Sequence, residues 1–296
     1  MKLIKPSYSI IEPTGYTIDD IYKSIELAGK VSHKSEHTIK EGSAKDFVDR
    51  MIKLGHGAVL EHGTVYLRYD FKAKEDSNRI AYRLWSKYNE NKYSESVQAQ
   101  PIPRVPNGFV AITTNYRVLV ENNWIDDLKY LCEPTEYHEK RVCVKFICDR
   151  GILAEFTRHR KFSFIAESTR YCNYSKDKFG NELTFIKPCW LDDEKLAFLG
   201  SYHTITMDKS SESIFIANLN NAERDYLDLI KSGWKPEQAR GVLPLALKTE
   251  LYMCGFLSDW ENFFILRDDK QHAHPQAYEL AHSLHEEFIN RKYYEI

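Results

Sequence analysis

The 296-residue sequence lacks several features that would assign its class at once. Its formal net charge is only -2, and no acidic or basic tail stands out, so the charge predicts neither a nucleic-acid coat nor a membrane surface. No stretch approaches the roughly 20 apolar residues of a membrane helix. Residues 1–14 also lack the apolar core of a signal peptide. We therefore expect a soluble, cytoplasmic protein that binds neither nucleic acid nor membranes.

The sequence also lacks paired cysteine motifs. None of its six cysteines has C-x-x-C spacing, which argues against a zinc ribbon or a dithiol redox motif. In a chain of this length we expect scattered, reduced and mostly buried thiols. The cysteines are Cys132, Cys143, Cys148, Cys172, Cys189 and Cys254.

What is present is an ordinary globular composition with a mixture of helix and strand signals. Two opening helices are indicated by the S/T-x-x-D patterns Thr17 to Asp20 and Ser43 to Asp46, the second ending at Gly55. Alternating apolar residues predict strands over 65–71 and 142–148, and 108–114 and 182–186 are two further candidate strands. Without a regular βαβ alternation, this mixture favours an α+β or mixed α/β domain.

The last third of the sequence is predicted to be helical. A short helix over 152–157 precedes it, and a long helix is indicated over 210–232. Pro236 and Pro275 suit the first positions of two further helices, and Ser258 with Glu261 resembles a capping box between them.

Residues 72–140 read differently from their surroundings. Pro101, Pro103 and Pro106 punctuate the middle, and 115–131 is helix-like. We interpret 1–296 as a single domain that carries 72–140 as an insertion.

The densest group of functional side chains lies at 158–171, which we call the cationic segment. It holds four cationic side chains, a histidine, a glutamate and two serines. Guanidinium groups bind phosphate through a planar fork of donors. Phe162, Phe164 and Ile165 are interleaved with these groups, so part of the segment must be buried, and buried arginine needs partners. The segment therefore indicates a nucleotide phosphate site, with a solvated basic loop as the alternative.

The cationic segment resembles the signature of flavin-dependent thymidylate synthases: Arg-His-Arg, seven residues, Ser, one residue, Arg. Residues 55–62 are similar to the family's Gly-His-x-x-x-x-Glu-His segment, and 28–32 to the end of its first helix. Residues 237–245 are similar to its Ala-Arg-x-Val-Leu-Pro run. The resemblance covers roughly 17–71 and 142–290 and leaves 72–140 without a counterpart. The matched signature residues are Arg158, His159, Arg160, Ser168, Arg170 and Tyr171.

The resemblance implies an antiparallel-rich central sheet flanked by helices, and a specific reaction. The family moves a methylene group from methylenetetrahydrofolate to dUMP and reduces it with a hydride from FAD, which NADPH recharges. The products are dTMP and tetrahydrofolate. The protein contributes orientation and electrostatics rather than a cysteine nucleophile or a metal. Its sites form between the subunits of a homotetramer.

Residue roles follow from the same resemblance. Arg267 would stabilise the ionised uracil and Ser168 would hold the nucleotide, so both are the predicted catalytic residues. The predicted FAD-binding residues are Arg158, His159, Arg160, Asn262 and His56. The predicted dUMP-binding residues are Arg158, Glu167, Ser168, Arg170, Arg240 and Arg267.

Four positions depart from the family pattern. Ile165 and Ala166 stand where the family has Asn-Glu, and Glu167 follows one place later as a possible substitute. Glu155 replaces a glutamine and would repel the nucleotide phosphate unless it is protonated or turned away. Phe256 replaces an asparagine that contacts the flavin.

Two other functions stay open on the sequence. Four histidines within 14 residues could serve a metal-dependent hydrolase, although a surface cluster is the simpler interpretation. The four departures also fit a non-catalytic nucleotide-binding relative. The histidines are His272, His274, His282 and His285.

Overall fold

A computed structural model of the protein describes residues 1–72, 74–99, 107–192 and 210–294. Its strands are β1 (Lys2–Ile4), β2 (Ser7–Ile11), β3 (Thr64–Lys72), β4 (Glu95–Ala99), β5 (Asn107–Asn115), β6 (Arg141–Asp149), β7 (Ser163–Ala166), β8 (Thr184–Ile186) and β9 (Lys248–Phe256). Its helices are α1 (Ile18–Val31), α2 (Ser43–Lys53), α3 (Gly57–Leu60), α4 (Glu75–Asn89), α5 (Tyr116–Glu121), α6 (Arg150–Phe156), α7 (Ser211–Lys231), α8 (Pro236–Ala239), α9 (Leu257–Arg267) and α10 (Pro275–Asn290).

The central sheet is antiparallel and has the order β2-β6-β9-β7. Side chains alternate along β9, so its two faces bury different sets of residues. Leu251 and Met253 join the core formed with α9 and α10, whose centre includes Trp260 and Phe263. Tyr252 faces the opposite way and packs among residues of α1 and β7. The sheet is therefore a middle layer between α9–α10 and α1, which confirms the predicted α+β class.

A second antiparallel sheet has the order β3-β5-β4 and its own core. Leu67 of β3 and Ile112 of β5 lie directly opposite each other, and both are buried. Tyr88 of α4 is fully buried in the same core. Residues 72–140 thus supply two strands of this sheet and the helix against it, while Pro101, Pro103 and Pro106 lie outside the described residues.

The remaining strands, β1 and β8, form a parallel two-stranded sheet. Near it, a third core joins Phe185 of β8 to Leu219 and Tyr226 of α7. Short 3-10 turns cover Glu36–Thr38, Ile125–Tyr130, Asp177–Phe179 and Arg240–Val242.

Most predicted helices and strands are confirmed, but two helix starts were assigned wrongly. The capping box of Thr17 and Asp20 forms as predicted. Ser43 is the first helical residue instead of the cap, and its hydroxyl donates to the buried Glu26 carboxylate. Ser258 lies inside the first turn of α9, where the Asp259 carboxylate accepts from the Phe256 N–H instead.

The helix-like stretch 115–131 is interrupted. The helix α5 ends at Glu121, and a 3-10 turn resumes at Ile125. Asn123 between them has a φ of +57°, a left-handed conformation that ends a helix. No helix within the described ranges is long and apolar enough to cross a membrane.

The prediction of uniformly reduced thiols is wrong for one pair. Cys143 of β6 and Cys254 of β9 are directly opposite each other, with 4.1 Å between their Cα atoms, and form a disulfide. They are 111 residues apart in sequence, so only the strand register brings them together. The four other cysteines are free, and two of them, Cys148 and Cys172, are buried.

Candidate active site

The ends of α6 and α9 meet at a cluster formed by Arg267, Glu155 and His159, which we call the Arg267 cluster. The Arg267 guanidinium donates from Nη1 to the Glu155 carboxylate at 2.7 Å and from Nη2 to the Glu155 carbonyl at 3.1 Å. Its Nε donates to Nε2 of His159 at 3.1 Å. Contacts from all three guanidinium nitrogens fix the plane of this cation.

His159 is the buried member of the Arg267 cluster, with 8% of its surface exposed. Its ring lies 5.0 Å from that of Phe263. Burial, followed by the nearby charge of Arg267, lowers the pKa of His159 to about 4. The imidazole is therefore neutral at pH 7 and can accept the Arg267 hydrogen bond.

The other predicted flavin-binding residues beside this cluster are exposed. Arg158 and Arg160 flank the buried His159 and point away from the core, and Asn262 lies on the solvent side of α9. Within the described part of the chain, no side-chain hydrogen bond or ion pair engages either guanidinium group. Both cations are available to an external anion.

The strand β7 separates the Arg267 cluster from the second half of the cationic segment. Two of the four departures lie in this strand, where Ile165 and Ala166 are opposite Tyr252 and Leu251. Ile165 is buried against α1. An extended strand advances about 3.3 Å per residue, so its four residues alone span roughly 10 Å. Arg267 and Ser168 of one chain are consequently at different ends of β7.

The far end of β7 forms what we call the Ser168 end: Ser168, Arg170, Tyr171, Ser32 and His33. The Ser168 N–H donates to the Ser32 carbonyl at 3.0 Å, which joins the signature to the end of α1. The Ser168 hydroxyl accepts from the Arg170 N–H at 3.3 Å. The exposed ring of Tyr171 stacks on His33 with centroids 4.5 Å apart.

Arg170 in the Ser168 end is exposed, and its guanidinium lies 5.2 Å from the centroid of the Tyr171 ring. This contact with a ring face leaves the in-plane donors of the guanidinium free. The Ser168 end therefore presents a cation, a hydroxyl and an aromatic face on one surface.

Glu167 does not join this surface. It is 2% exposed, and its two carboxylate oxygens accept from Tyr174 at 3.0 Å and from Lys248 at 2.7 Å. Lys248 also donates to Glu250, which Lys34 reaches at 2.6 Å. Glu167 was predicted to bind the nucleotide, but both of its carboxylate oxygens already accept hydrogen bonds from side chains of the same chain.

This ion network was missed by the sequence analysis. Burial alone would raise the pKa of Glu250, but Lys248 and Lys34 outweigh it and lower that pKa to about 2. Alternation along β9 puts Lys248 and Glu250 on the same face, and this spacing could have indicated the pair.

Two further predicted residues lie outside the cationic segment. Arg240 begins an exposed 3-10 turn after α8, and within the described residues its guanidinium has no side-chain partner. Val242 and Leu245, which follow it, are 39% and 71% exposed. His56 is the exposed residue preceding α3. It lies near His33, whose pKa is lowered by burial first and then by neighbouring groups that include Lys178 and His56.

The fourth departure, Phe256, cannot replace the hydrogen bonds of an asparagine. It precedes α9 and is 7% exposed, with its ring 5.6 Å from the Arg141 guanidinium. Its side chain packs in the interior, so any flavin contact at this position is apolar.

The four C-terminal histidines do not assemble a metal site. His272 pairs with Asp269, whereas His282 and His285 both pair with Asp268, at 2.8 and 2.7 Å. His274 accepts the Gln276 N–H at the start of α10. Among the described residues, the one group of donors close enough to hold a metal is elsewhere, at His62, Cys143 and Cys254.

Comparison with known proteins adds a family match. The model of the family described as "Thymidylate synthase complementing protein" matches residues 134–291, which contain the cationic segment, Arg240 and Arg267. A curated relative, "Flavin-dependent thymidylate synthase" of Haloarcula marismortui, is 27% identical over 126 residues. That alignment covers 40% of this chain and 51% of the relative, so the chain spans about half of the relative's length.

Two solved structures are also similar. Both are of a UMP/dUMP methylase, PolB from Streptomyces cacaoi, one bound with 5-Br dUMP and one with 5-Br UMP. Each is 14% identical with a TM-score of 0.42, and the alignments cover 98% of this chain and 93% or 92% of the PolB chain.

Proposed function

Because the chain belongs to the thymidylate synthase complementing protein family, we propose that it is a flavin-dependent thymidylate synthase. It would make dTMP from dUMP, with the carbon from methylenetetrahydrofolate and the reducing equivalents from NADPH through FAD. The observation that carries this proposal is the Arg267 cluster, a cation held in one orientation at the family signature. We place the reaction in the cytoplasm and in a single domain that includes 72–140.

Arg267 is suited to stabilise negative charge that develops on a bound uracil ring. A cation that is already oriented needs no reorganisation when charge develops, and this preorganisation is a major source of catalysis. His159 and Glu155 occupy three of its donors, and the remaining N–H groups are available to the pyrimidine. Arg267 would thereby favour the ionised uracil, whose carbon is the nucleophile.

The side chains present fit a dinucleotide cofactor. Arg158 and Arg160 offer free guanidinium groups for its phosphates, and the neutral, mostly buried His159 between them would contribute by orienting Arg267. Asn262 and His56 would complete the FAD contacts. When bound, the flavin supplies hydride chemistry that no side chain of this chain can perform.

The nucleotide would be held by the residues of the Ser168 end together with the free cation of Arg240. The Ser168 hydroxyl and the guanidinium groups of Arg170 and Arg240 suit a phosphate monoester. Arg158 and Arg267 would reach the same ligand, and Glu167 would act through Lys248 instead of touching dUMP.

A homotetramer would bring these separated groups together. Within one chain, β7 keeps the Arg267 cluster and the Ser168 end apart, so one complete site would take residues from two subunits. Exposed apolar side chains beside the site residues support such an interface: Leu245 near Arg240 is 71% exposed, and Leu266 beside Arg267 is 54% exposed.

The deciding experiment is NADPH oxidation by the purified protein with FAD, with and without dUMP. Acceleration by dUMP is expected, since nucleotide and flavin would share one site. If dUMP and FAD both bind in equilibrium dialysis but no oxidation occurs, a synthase is excluded.

A second candidate is a nucleotide-binding relative without turnover. It is favoured by Glu155, which engages Arg267, and by Phe256, which removes a polar flavin contact. This candidate predicts tight dUMP binding, no dTMP formation and no flavin reduction by NADPH.

A further inference from the structure

His62 is a buried side chain whose polar atoms are unused. It is 2% exposed, and among the described residues neither ring nitrogen has a hydrogen-bond partner. Leaving such a group unsatisfied costs roughly 1–3 kcal/mol, so unpaired buried nitrogens point to a missing ligand. Its ring stands edge-on to Tyr252, with centroids 5.3 Å apart and the planes at 87°. The imidazole is thus held in place while both nitrogens stay open.

The nearest chemistry to His62 is the cysteine pair of the central sheet. A ring nitrogen of His62 and the sulfurs of Cys143 and Cys254 lie within 4.8 Å of one another. Tetrahedral zinc, with bonds of about 2.0–2.3 Å, sets its ligand atoms roughly 3.5–4 Å apart. Once the disulfide is reduced, small side-chain rotations bring the three donors to such distances.

A small cavity adjoins two of the three donors, His62 and Cys143. It has a volume of about 50 Å³, and His62 and Cys143 line it together with Ser24, Thr64, Tyr66 and Arg141. A water molecule needs roughly 10–15 Å³ of such space. The cavity therefore has room for a water as a fourth ligand. The hydroxyl oxygens of Thr64 and Tyr66 accept from Arg141, so each hydroxyl still has a hydrogen to donate to that water.

We propose that His62, Cys143 and Cys254 form a binding site for a thiolate-preferring divalent cation such as Zn²⁺ when the two cysteines are reduced. Two thiolates and one imidazole match the donors that zinc prefers, and water from the cavity completes a tetrahedron. Two thiolates also balance the charge of Zn²⁺. This site is independent of the proposed synthase activity.

The disulfide and the metal-bound pair of thiolates are then two alternative states of Cys143 and Cys254. A dithiol reductant gives two electrons and two protons to the disulfide, the S–S bond breaks, and two thiols form. Binding of Zn²⁺ releases those two protons to solvent. In the reverse direction, hydrogen peroxide takes two electrons from the thiolates. The S–S bond forms, both Zn–S bonds break, Zn²⁺ leaves, and the peroxide with two protons becomes two waters.

The test is titration of the reduced full-length protein with Co²⁺ under argon. We expect one Co²⁺ per chain, with thiolate-to-cobalt charge-transfer absorption that Zn²⁺ abolishes. Cys143→Ser and Cys254→Ser should each remove most of that absorption. His62→Gln should weaken binding by more than the roughly 10- to 100-fold cost of losing an outer-shell partner. Cys189→Ser, at an exposed free cysteine, is the matched control and should bind like wild type.

A second measurement uses the wild-type protein, in case a variant fails to fold. Zn²⁺ should slow alkylation of Cys143 and Cys254, mapped by mass spectrometry, and leave Cys189 unchanged. Peroxide should release the bound Zn²⁺ to a chromophoric chelator as the disulfide forms. Equal alkylation rates with and without Zn²⁺, or Co²⁺ binding without charge transfer, would overturn the proposal and leave the pair as a disulfide only.

Discussion

Each end of β7 carries an arginine, but one arginine is held by neighbouring side chains and the other is exposed. At one end Arg267 is engaged by Glu155 and His159, and its position is set by the chain itself. At the other end the exposed guanidinium of Arg170 contacts an aromatic ring and, within the described part of the chain, no acidic side chain. A cation fixed before binding is suited to stabilise developing charge, whereas an exposed cation is suited to capture an anion. The two ends should therefore respond differently to mutation.

The largest effect is expected at the fixed cation. Arg267→Ala should lower kcat by roughly 10²- to 10³-fold, the usual cost of removing a preorganised electrostatic contact. The measurement is dUMP-stimulated NADPH oxidation, with far-UV circular dichroism to establish that the fold is intact.

Arg291→Ala is the matched control for this variant. Arg291 follows α10 and is also paired with glutamates, Glu287 and Glu12, but it lies outside the signature. Turnover should be unchanged in the control. Wild-type turnover in Arg267→Ala would remove Arg267 from its assigned role.

Smaller effects are expected at the exposed cations. Arg170→Ala or Arg240→Ala should each weaken dUMP binding by roughly 10- to 100-fold, since a hydrogen bond to a charged group contributes about 1.5–3 kcal/mol. Calorimetric titration with dUMP measures the loss, which should shrink at high salt.

The matched control here is Arg224→Ala, which removes an exposed arginine paired with Asp225. It should bind dUMP like wild type. If all three variants bound equally well, the phosphate site would have to be elsewhere.

Helices and strands were easier to predict from the sequence than the residues that their side chains contact. The capping box at Thr17 and Asp20 and the alternation of β3 and β6 depend on neighbours a few residues away, so local patterns revealed them. The helix α4 and the strand β4 were missed. Both precede the three prolines between 101 and 106, which separate β4 from its partner β5 in the sequence and obscured their pairing.

The contact partners of the site residues could not be predicted from local patterns. Glu155 looked repulsive to a phosphate in the sequence, yet it pairs with Arg267, 112 residues away. Glu167 was predicted to bind the nucleotide, but its carboxylate accepts a hydrogen bond from Lys248, which is 81 residues away in the sequence. The Cys143–Cys254 pair likewise depends on strand register. Residue types were readable from the sequence, whereas partners set by tertiary structure were not.

The pH dependence of the free energy of unfolding should reveal the two buried, neutral histidines, one of which, His159, lies at the fixed end of β7. Burial lowers the pKa of His159 to about 4 and that of His62 to about 3, from an ordinary 6.5. The unfolded chain therefore takes up protons first as the pH falls below 6.5. Native stability should drop by up to about 1.4 kcal/mol per pH unit for each histidine.

The window from pH 6.5 to 4.5 is the informative one, because carboxylates with lowered pKa values such as Glu250 lose their contribution only below it. Urea unfolding of the oxidised protein at several pH values measures the slope. His159→Gln should reduce the slope in this window, while His272→Gln, at an exposed ring, should leave it unchanged. A pH-independent stability across the window would contradict neutral buried histidines.

The smallest expected effect tests whether the Glu155 carboxylate competes with dUMP for the Arg267 guanidinium. Glu155→Gln keeps the shape of the side chain and restores the family's residue, but it removes the negative charge beside Arg267. That pair is partly exposed, at 18% for Arg267 and 33% for Glu155, so its removal should cost at most about 1 kcal/mol of stability. With the competing carboxylate gone, dUMP should bind a few-fold more tightly, and more so at low salt.

Glu121→Gln, which removes an exposed carboxylate paired with Arg117, should change neither quantity. Weaker dUMP binding in Glu155→Gln would mean that the carboxylate positions Arg267 for the ligand instead of competing with it.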